Sequence, residues 1–166
     1  RDSLKLIKAL LKNGADPNVM NRFGQSALNS SRVKRNVDIV KELLGSGAKV
    51  NLQDKSGNTV LKKEVMDYVG NYRMLDNLKK QSQQMIDLFI TSGGDINLKD
   101  KFGVTALTHV AKEFNDKNEK KVLDIVPYLL GKGARKDVPD NDGKTALDYA
   151  RQSGNSELVR LLSGGY

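Results

Sequence analysis

Two short landmarks recur along the chain with matching spacing, and this repetition constrains the fold more than any other feature. The first is a turn-like segment in which glycine is followed two residues later by Ser or Thr and then by Leu, at 21–28, 54–61, 100–107 and 140–147. The second is an apolar run that ends in glycine, within 10–18, 43–51, 89–97 and 129–137. Successive glycines of the first landmark are 33, 46 and 40 residues apart, and those of the second landmark show the same three spacings. A shared period of this length indicates a repeat protein.

The residue types at both landmarks predict how the chain turns there. Each first landmark opens with Asp or Asn and reaches Ser or Thr just before an apolar stretch, a combination typical of a tight turn followed by a helix N-cap. Each second landmark ends a run of apolar residues at helical spacing with glycine, which predicts a helix C-terminus. Helices this short cannot bury their apolar faces alone, so we expect neighbouring pairs to stack around one elongated core.

The pattern resembles the ankyrin repeat, a unit of about 33 residues with a β-turn and two helices. The resemblance implies an all-α solenoid of helix-turn-helix units with short β-turn fingers, in a single domain spanning 1–166. We number the units from the N-terminus: a partial unit 1 (1–20), unit 2 (21–53), unit 3 with a long insertion (54–99), unit 4 with a short insertion (100–139) and the terminal unit 5 (140–166). The family's Thr-Pro-Leu-His segment is altered in every unit, and Glu64 stands where a small helix-packing residue is expected.

The amino-acid composition excludes most catalytic and metal chemistry. The chain has no Cys and one His, His109, so disulfide scaffolds, thiolate metal sites, cysteine nucleophiles and two-histidine sites are ruled out. Residues 140–145 are similar to parts of a P-loop and of an EF-hand loop, but Val138 stands where each motif needs its first residue. We therefore expect no catalytic residue, no metal site, no cofactor and no small-molecule substrate. No apolar run approaches the roughly 18 residues that a membrane span needs.

Ankyrin proteins as a family bind other proteins through the finger tips and the concave face of the first helix in each unit. Carried over position by position, the resemblance implies a binding surface made of four sets of three finger residues and the ends of two first helices. The finger residues are Arg22, Phe23, Gln25, Lys55, Ser56, Asn58, Lys101, Phe102, Val104, Asn141, Asp142 and Lys144, and the helix ends supply Val33, Lys34 and Lys112. For Phe23 and Phe102 two interpretations remain open, an exposed anchor for a partner or a ring packed on the neighbouring finger.

The two insertions fall between the first and second helices of their units and are expected to project from the edge opposite the fingers. The longer one, about Asp67 to Lys80, contains Tyr68 and Tyr72 and is too apolar for a solvated loop. Either it lengthens the two helices and covers neighbouring surface, or Tyr68 and Tyr72 anchor a partner protein. The shorter one, Phe114 to Lys121, is largely charged and is expected to face solvent.

Positive charge is concentrated in the first units. The chain carries a net charge of +8, and residues 1–53 hold ten basic and four acidic side chains, whereas residues 140–166 hold three and four. This distribution favours a partner protein with an acidic surface. The alternative is that the lysines only keep the chain soluble. Nucleic acid is disfavoured, because the basic residues are not interleaved with an aromatic platform.

Together these observations predict a non-enzymatic protein-binding module, which in its sharpest form masks or inhibits a partner enzyme. The alternative hypothesis is an ankyrin segment of a larger scaffold or secreted effector whose activity lies elsewhere. The start at Arg1 rather than Met, and the half-unit at 1–20, favour this alternative. The lack of cysteine is compatible with both a cytoplasmic and an exported protein.

Overall fold

The computed structural model describes residues 2–70 and 76–164; for residues 76–78 it describes the backbone only. Nine helices and no strand occur within these residues. The helices are α1 (Asp2–Lys12), α2 (Ala27–Val33), α3 (Val37–Gly45), α4 (Val60–Gly70), α5 (Asp76–Thr91), α6 (Ala106–Lys112), α7 (Glu119–Gly131), α8 (Ala146–Ser153) and α9 (Ser156–Ser163).

The helices form two rows. Helices α2, α4, α6 and α8 each follow a finger, and we call them inner helices; α1, α3, α5, α7 and α9 are outer helices. Each inner helix contacts the outer helix of its own unit, and α4 and α6 also contact the inner helices on either side of them. In the outer row, α1 contacts α3 and α7 contacts α9. This stacking is the all-α solenoid that the repeat predicts.

The core runs between the two rows and is apolar along most of its length. Its largest fully buried side chains include Leu28, Tyr68, Phe89, Leu129 and Leu158. Burial of these side chains is the main favourable contribution to folding, because no helix pair holds enough apolar surface to be stable alone.

Asparagine side chains join the loops that follow successive outer helices. In each case the Asn amide donates to a glycine carbonyl of the next such loop and its oxygen accepts an N–H two residues further on. The pairs are Asn18 with Gly47 (3.1 Å) and Lys49 (2.8 Å), Asn51 with Gly93 (2.9 Å) and Asp95 (2.8 Å), and Asn97 with Gly133 (3.0 Å) and Arg135 (2.8 Å). These bonds fix the spacing between units in the loops that lead from each outer helix to the next finger.

The long insertion lengthens the two helices of unit 3. Helix α4 has 11 residues and α5 has 16, whereas α2 and α6 have seven each. Tyr68, on the added part of α4, is 1% exposed and belongs to the core. The expectation that Tyr68 contacts a partner is therefore corrected, because the lengthened helix turns this ring inward. Tyr72, the other tyrosine of the insertion, lies outside the described residues.

The short insertion forms a loop that is only partly solvent-facing. Asp116 and Lys117 are exposed, as expected, but Phe114 is half-buried and packs against the core. Asn118 is 2% exposed, donates to the Glu113 carbonyl at 2.8 Å and accepts the Asn115 N–H at 2.9 Å. The expectation that this insertion faces solvent is thus wrong at Phe114 and Asn118.

Candidate protein-binding surface

All four fingers are held by the same hydrogen bonds. The first residue of each finger accepts the backbone N–H groups two and four residues later through one side-chain oxygen, at 2.8–3.0 Å. Its own N–H donates to the carbonyl four residues later, at 2.9–3.1 Å. These first residues are Asn21, Asp54, Asp100 and Asp140. The finger tips are therefore preorganised turns, a property that lowers the entropic cost of binding a partner.

Successive fingers lie in register against one another. The Ser56 carbonyl accepts the Lys101 N–H at 3.2 Å, and the Phe102 carbonyl accepts the Asn141 N–H at 3.0 Å. A Cβ added at Gly57 would lie 2.7 Å from the nitrogen of Lys101, which shows how closely the backbones approach.

This register places Arg22, Lys55 and Lys101 at the same position of three stacked fingers, and we call these three residues the basic row. All three are exposed. Within the described residues, none of them forms an ion pair with a carboxylate. In the finger of unit 5 the corresponding position is held by Asn141, so the positive charge of the basic row ends before the last finger.

Lysine and tyrosine side chains of the inner helices tie the fingers to the core. Lys63 pairs with Asp54 at 2.5 Å, and Lys62 pairs with Asp100 at 2.6 Å. Tyr149 donates to Asp140 at 2.6 Å. Burial alone would raise the pKa of the Asp100 carboxyl, but hydrogen bonds from Lys62 and from two finger amides hold it below its ordinary value.

Lys62 occupies the position of the family's histidine, and its role was not found from the sequence. It is 3% exposed and donates to the Val104 carbonyl at 2.6 Å as well as to Asp100. Lys62 thus joins the inner helix of unit 3 to the finger of unit 4. The sequence did contain a signal for this role, because Lys62 is an ionisable residue at a helix position that faces inward in the repeat.

The aromatic rings at two finger tips are exposed. Phe23 is 57% and Phe102 is 68% exposed, so neither ring is buried against the neighbouring finger. The Arg22 guanidinium lies 4.7 Å from the centre of the Phe23 ring, within range of a cation–π interaction.

The remaining residues of the expected surface divide by exposure. Exposed are Val33, Lys34, Ser56, Lys112, Asn141 and Asp142, and half-buried are Gln25, Asn58 and Lys144. Val104 is 5% exposed, so the expectation that its side chain meets a partner is corrected. Its N–H is bonded to Asp100 and its carbonyl to Lys62, and these bonds hold the residue against the core.

Two lysines of the surface stack on one ring in unit 5. The ammonium groups of Lys112 and Lys144 lie 5.4 and 5.5 Å from the centre of the Tyr149 ring. The hydrogen bond to Asp140, aided by burial, raises the pKa of the Tyr149 phenol to about 12, so Tyr149 remains a neutral donor at physiological pH. Both ammonium groups therefore lie over the same ring at the unit 5 end of the surface.

An ionic cluster around the buried Glu64 joins units 2 and 3 and was also not found from the sequence. Arg32 lies 3.1 Å from Glu64 and 2.6 Å from Asp67, and Arg35 lies 3.2 Å from Glu64 and 2.6 Å from the Ser82 hydroxyl. Glu64 is 1% and Arg32 is 6% exposed. We call Arg32, Arg35, Glu64, Asp67 and Ser82 the ionic cluster. Glu64 at a small-residue position was the available signal, but the partners lie too far away in sequence to be recognised.

The single histidine, the metal-ligating residue types and the length of the helices bear on functions other than protein binding. His109 is half-buried on α6, and burial lowers its pKa. Over residues 2–70 and 76–164, no group of three or more His, Asp or Glu side chains is arranged to hold a metal ion. None of the helices traced in those residues has the length and apolarity needed to cross a membrane.

Two comparisons relate these features to known proteins. A family model described as ankyrin repeats, in three copies, matches residues 1–78 and residues 74–165. The protein named "Putative palmitoyltransferase ZDHHC13", from Danio rerio, is 26% identical over 164 residues, which cover 96% of this chain and 22% of that relative. The chain thus spans about a fifth of the length of this curated relative.

Proposed function

Because the chain belongs to the ankyrin repeat family, whose repeats are protein-interaction modules and generally non-catalytic, we propose that it docks a partner protein with an acidic surface. The docking surface consists of the finger tips and the exposed ends of α2 and α6. Its centre is the basic row, and Phe23 and Phe102 are its apolar anchors.

The basic row is the observation that carries this proposal. Three cations project from preorganised turns at one position of successive fingers, and no carboxylate of the described residues neutralises them. Such a row attracts an acidic surface over long range and accelerates encounter. The exposed phenylalanine rings beside it supply apolar contact area once the partner has arrived.

A finer proposal is that docking masks an enzyme. The finger turns are preorganised by their hydrogen bonds, and each presents two exposed side chains at its tip, a shape suited to entering a cleft. The acidic lining of such a cleft would then meet the basic row. Inhibition of the captured partner's activity by the purified chain is the test of this finer proposal.

The test of docking begins with affinity capture of the partner from the source cells at low and high salt. Association rates are then compared for the natural chain, for a variant with Arg22→Glu, Lys55→Glu and Lys101→Glu, and for a control with Lys41→Glu, Lys80→Glu and Lys120→Glu, three lysines of outer helices. The control lysines are exposed residues away from the fingers, and both variants change the net charge equally. We expect the finger variant to associate at least tenfold more slowly at low salt. Equal rates for the two variants would contradict a role for the basic row.

A second candidate function is that of an ankyrin segment in a longer scaffold or effector protein. The comparison with a relative of which the chain covers 22% favours it. Under this proposal the chain docks the partner and another part of the polypeptide acts on it. Immunodetection in source cells with an antibody against the purified chain tests it, because a band near 18.3 kDa alone would contradict a longer polypeptide.

A further inference from the structure

The three cations of the basic row recur at a regular distance along the finger stack. A Cβ added at Gly24 would lie 2.8 Å from the Lys55 nitrogen, and one added at Gly57 would lie 2.7 Å from the Lys101 nitrogen. Successive fingers therefore approach each other in the same way at both junctions. Each finger leads directly into an inner helix, and α4 contacts both α2 and α6. Since packed helices lie about 8–10 Å apart, the three cations recur at about this interval.

The aspartates that precede the two lysines of the row do not neutralise them. Asp54 is paired with Lys63 at 2.5 Å. Asp100 is paired with Lys62 at 2.6 Å. Both partner lysines belong to α4 and support the fingers from below, so the charge of each aspartate is balanced there. In unit 2 the corresponding residue, Asn21, is uncharged. The row is thus the exposed charge of these three fingers.

Aromatic rings accompany the basic row at the first and third of its fingers. Phe23 and Phe102 are exposed beside their cations, whereas the middle finger carries the small Ser56 at this position. The two rings are therefore two finger intervals apart, about 16–20 Å. A ligand that crosses all three fingers meets an aromatic ring at each end and a short side chain between them.

The interval between the cations selects the conformation of a peptide whose carboxylates would meet all three. In polyproline II every third residue lies on the same side, at intervals of about 9.3 Å. In an α-helix residues seven apart share a side at about 10.5 Å. In a β-strand alternate residues share a side at about 6.6 Å, and residues four apart at about 13 Å. Of these conformations, polyproline II is the one that falls within the finger interval.

On the basis of the docking function proposed above, we propose that the fingers bind an acidic, proline-containing segment of the partner in the polyproline II conformation. A carboxylate at every third residue faces Arg22, Lys55 and Lys101, and prolines pack on Phe23 and Phe102. Grooves lined by aromatic rings are a known platform for prolines of such a helix. A proline-rich chain largely adopts this conformation before binding, so little conformational entropy is lost on docking.

Three peptides of about a dozen residues test the proposal with the full, isotopically labelled chain. The regular peptide repeats Glu-Pro-Pro. The irregular peptide has the same composition, but its glutamates are alternately two and four residues apart. The lysine peptide repeats Lys-Pro-Pro. Because the regular peptide is periodic, its match to the basic row does not depend on its direction. NMR titration of the chain's amides gives the dissociation constants and locates the binding site.

We expect the regular peptide to bind at least fivefold more tightly than the irregular peptide at an ionic strength of about 0.15 M. The Debye length is then about 8 Å, so each carboxylate interacts mainly with the nearest cation. At about 0.01 M the Debye length is about 30 Å, which exceeds the length of the row, and the difference should shrink. The lysine peptide should not bind measurably. The largest amide shifts should lie in the fingers of units 2, 3 and 4.

Three variants show whether the basic row and its rings form the site. Lys55→Gln, in the middle of the row, and Phe102→Ser should each weaken binding of the regular peptide at least threefold. Lys41→Gln removes the same charge at an exposed position of the outer helix α3, and it is the matched control that should leave binding unchanged. All three residues are exposed, and urea denaturation of each variant establishes that it is folded.

Several results would overturn the proposal. They are equal binding of the regular and irregular peptides at about 0.15 M, no binding of either, and binding that Lys55→Gln leaves unchanged. Tighter binding of a stapled helix with glutamate at every seventh position would assign the row to a helical ligand. Tighter binding of single-stranded oligothymidylate would assign it to nucleic acid.

Failure of this proposal is distinguishable from failure of the docking function. If association of the captured partner depends on the basic row but the chain does not discriminate between the two glutamate peptides, docking stands and the polyproline II ligand is wrong. If reversing the charge of the row leaves association of the captured partner unchanged, docking through the row is wrong, whichever peptide binds.

Discussion

The turn from inner helix to outer helix is built differently in units 2 and 5. In both units an asparagine caps the outer helix: Asn36 accepts the Ile39 N–H at 3.1 Å, and Asn155 accepts the Leu158 N–H at 2.8 Å. The residue before the cap has a left-handed backbone in both units. In unit 5 it is Gly154, with φ of +72°, and in unit 2 it is Arg35, with φ of +50°.

A left-handed backbone is easy for glycine and costs other residues roughly 1–2 kcal/mol. In unit 2 this cost is offset by the contacts of the Arg35 guanidinium with Glu64 and Ser82. The same left-handed backbone conformation is therefore made possible in two different ways in this array. In unit 5 a glycine adopts this conformation without strain, whereas in unit 2 the strain at Arg35 is compensated by a buried carboxylate of the next unit.

The largest effect is expected from removing that carboxylate. Glu64→Ala leaves Arg35 without its carboxylate and Arg32, 6% exposed, with only Asp67. Loss of one partner from a buried ion pair typically costs about 3–5 kcal/mol, and the remaining Asp67 contact places the expected loss near the lower end. Urea denaturation measures it. The control Asp116→Ala, at an exposed carboxylate in the short insertion, should change stability by less than about 0.5 kcal/mol. Similar losses for the two variants would contradict a structural role for Glu64.

An effect of similar or smaller size is expected from the finger glycines. Gly24 of unit 2 and Gly143 of unit 5 both have positive φ, +74° and +77°. A Cβ at Gly24 would lie 2.8 Å from the Lys55 nitrogen of the next finger, whereas nothing lies within 4 Å of a Cβ at Gly143. Gly143→Ala should therefore cost only the backbone strain of about 1–2 kcal/mol. Gly24→Ala should cost about 2–4 kcal/mol, because steric overlap adds to the strain. Equal losses in urea denaturation would mean that the fingers of units 2 and 3 are not held in contact.

Local chemistry also explains which features could be predicted from the sequence. The finger turn of unit 5 depends on Asp140, Gly143 and Thr145, three residues within one short segment whose types act on their own backbone. The same types recur at the same spacing in the other units, so the repeat, the helix order and the finger positions followed from the sequence.

The features that the sequence did not reveal depend on contacts between units or on helix length. Glu64 was recognised as unusual, but its partners Arg32 and Arg35 lie 32 and 29 residues away, beyond any local spacing rule. The sequence is compatible with Tyr68 as a partner contact, and only the extension of α4 to Gly70 shows that its ring is buried. The residues of the expected binding surface could be located on the fingers, but the sequence did not show that Lys62 supports them from below.

A third prediction tests whether Arg35 needs Glu64. In the natural chain, Arg35→Gly relieves left-handed strain of up to about 2 kcal/mol but loses the bonds to Glu64 and Ser82. Two hydrogen bonds of a charged group, at about 1.5 kcal/mol each, exceed this strain, so we expect a net loss of about 1 kcal/mol. In the Glu64→Ala background the same change should instead stabilise the protein, because the strain is relieved and one bond fewer is lost. The double-mutant cycle from urea denaturation measures this reversal. A loss of the same size in both backgrounds would show that the conformation of Arg35 does not depend on Glu64.

The smallest effect concerns the start of the inner helices in the same two units. Thr145 accepts the Asp148 N–H at 3.3 Å, and Asp148 accepts the Thr145 N–H at 2.8 Å, which completes a capping box before α8. Ser26 holds the corresponding position before α2, but its side chain makes no cap hydrogen bond. Thr145→Ala should therefore lower the free energy of unfolding by about 1 kcal/mol, the usual value of a cap, and Ser26→Ala should lower it by only a few tenths. Hydrogen exchange of the first amides of α8 provides the local measurement, because these amides should exchange faster after Thr145→Ala. If Ser26→Ala proves the more damaging of the two, unit 2 depends on its own local residues more than its buried ion pairs indicate.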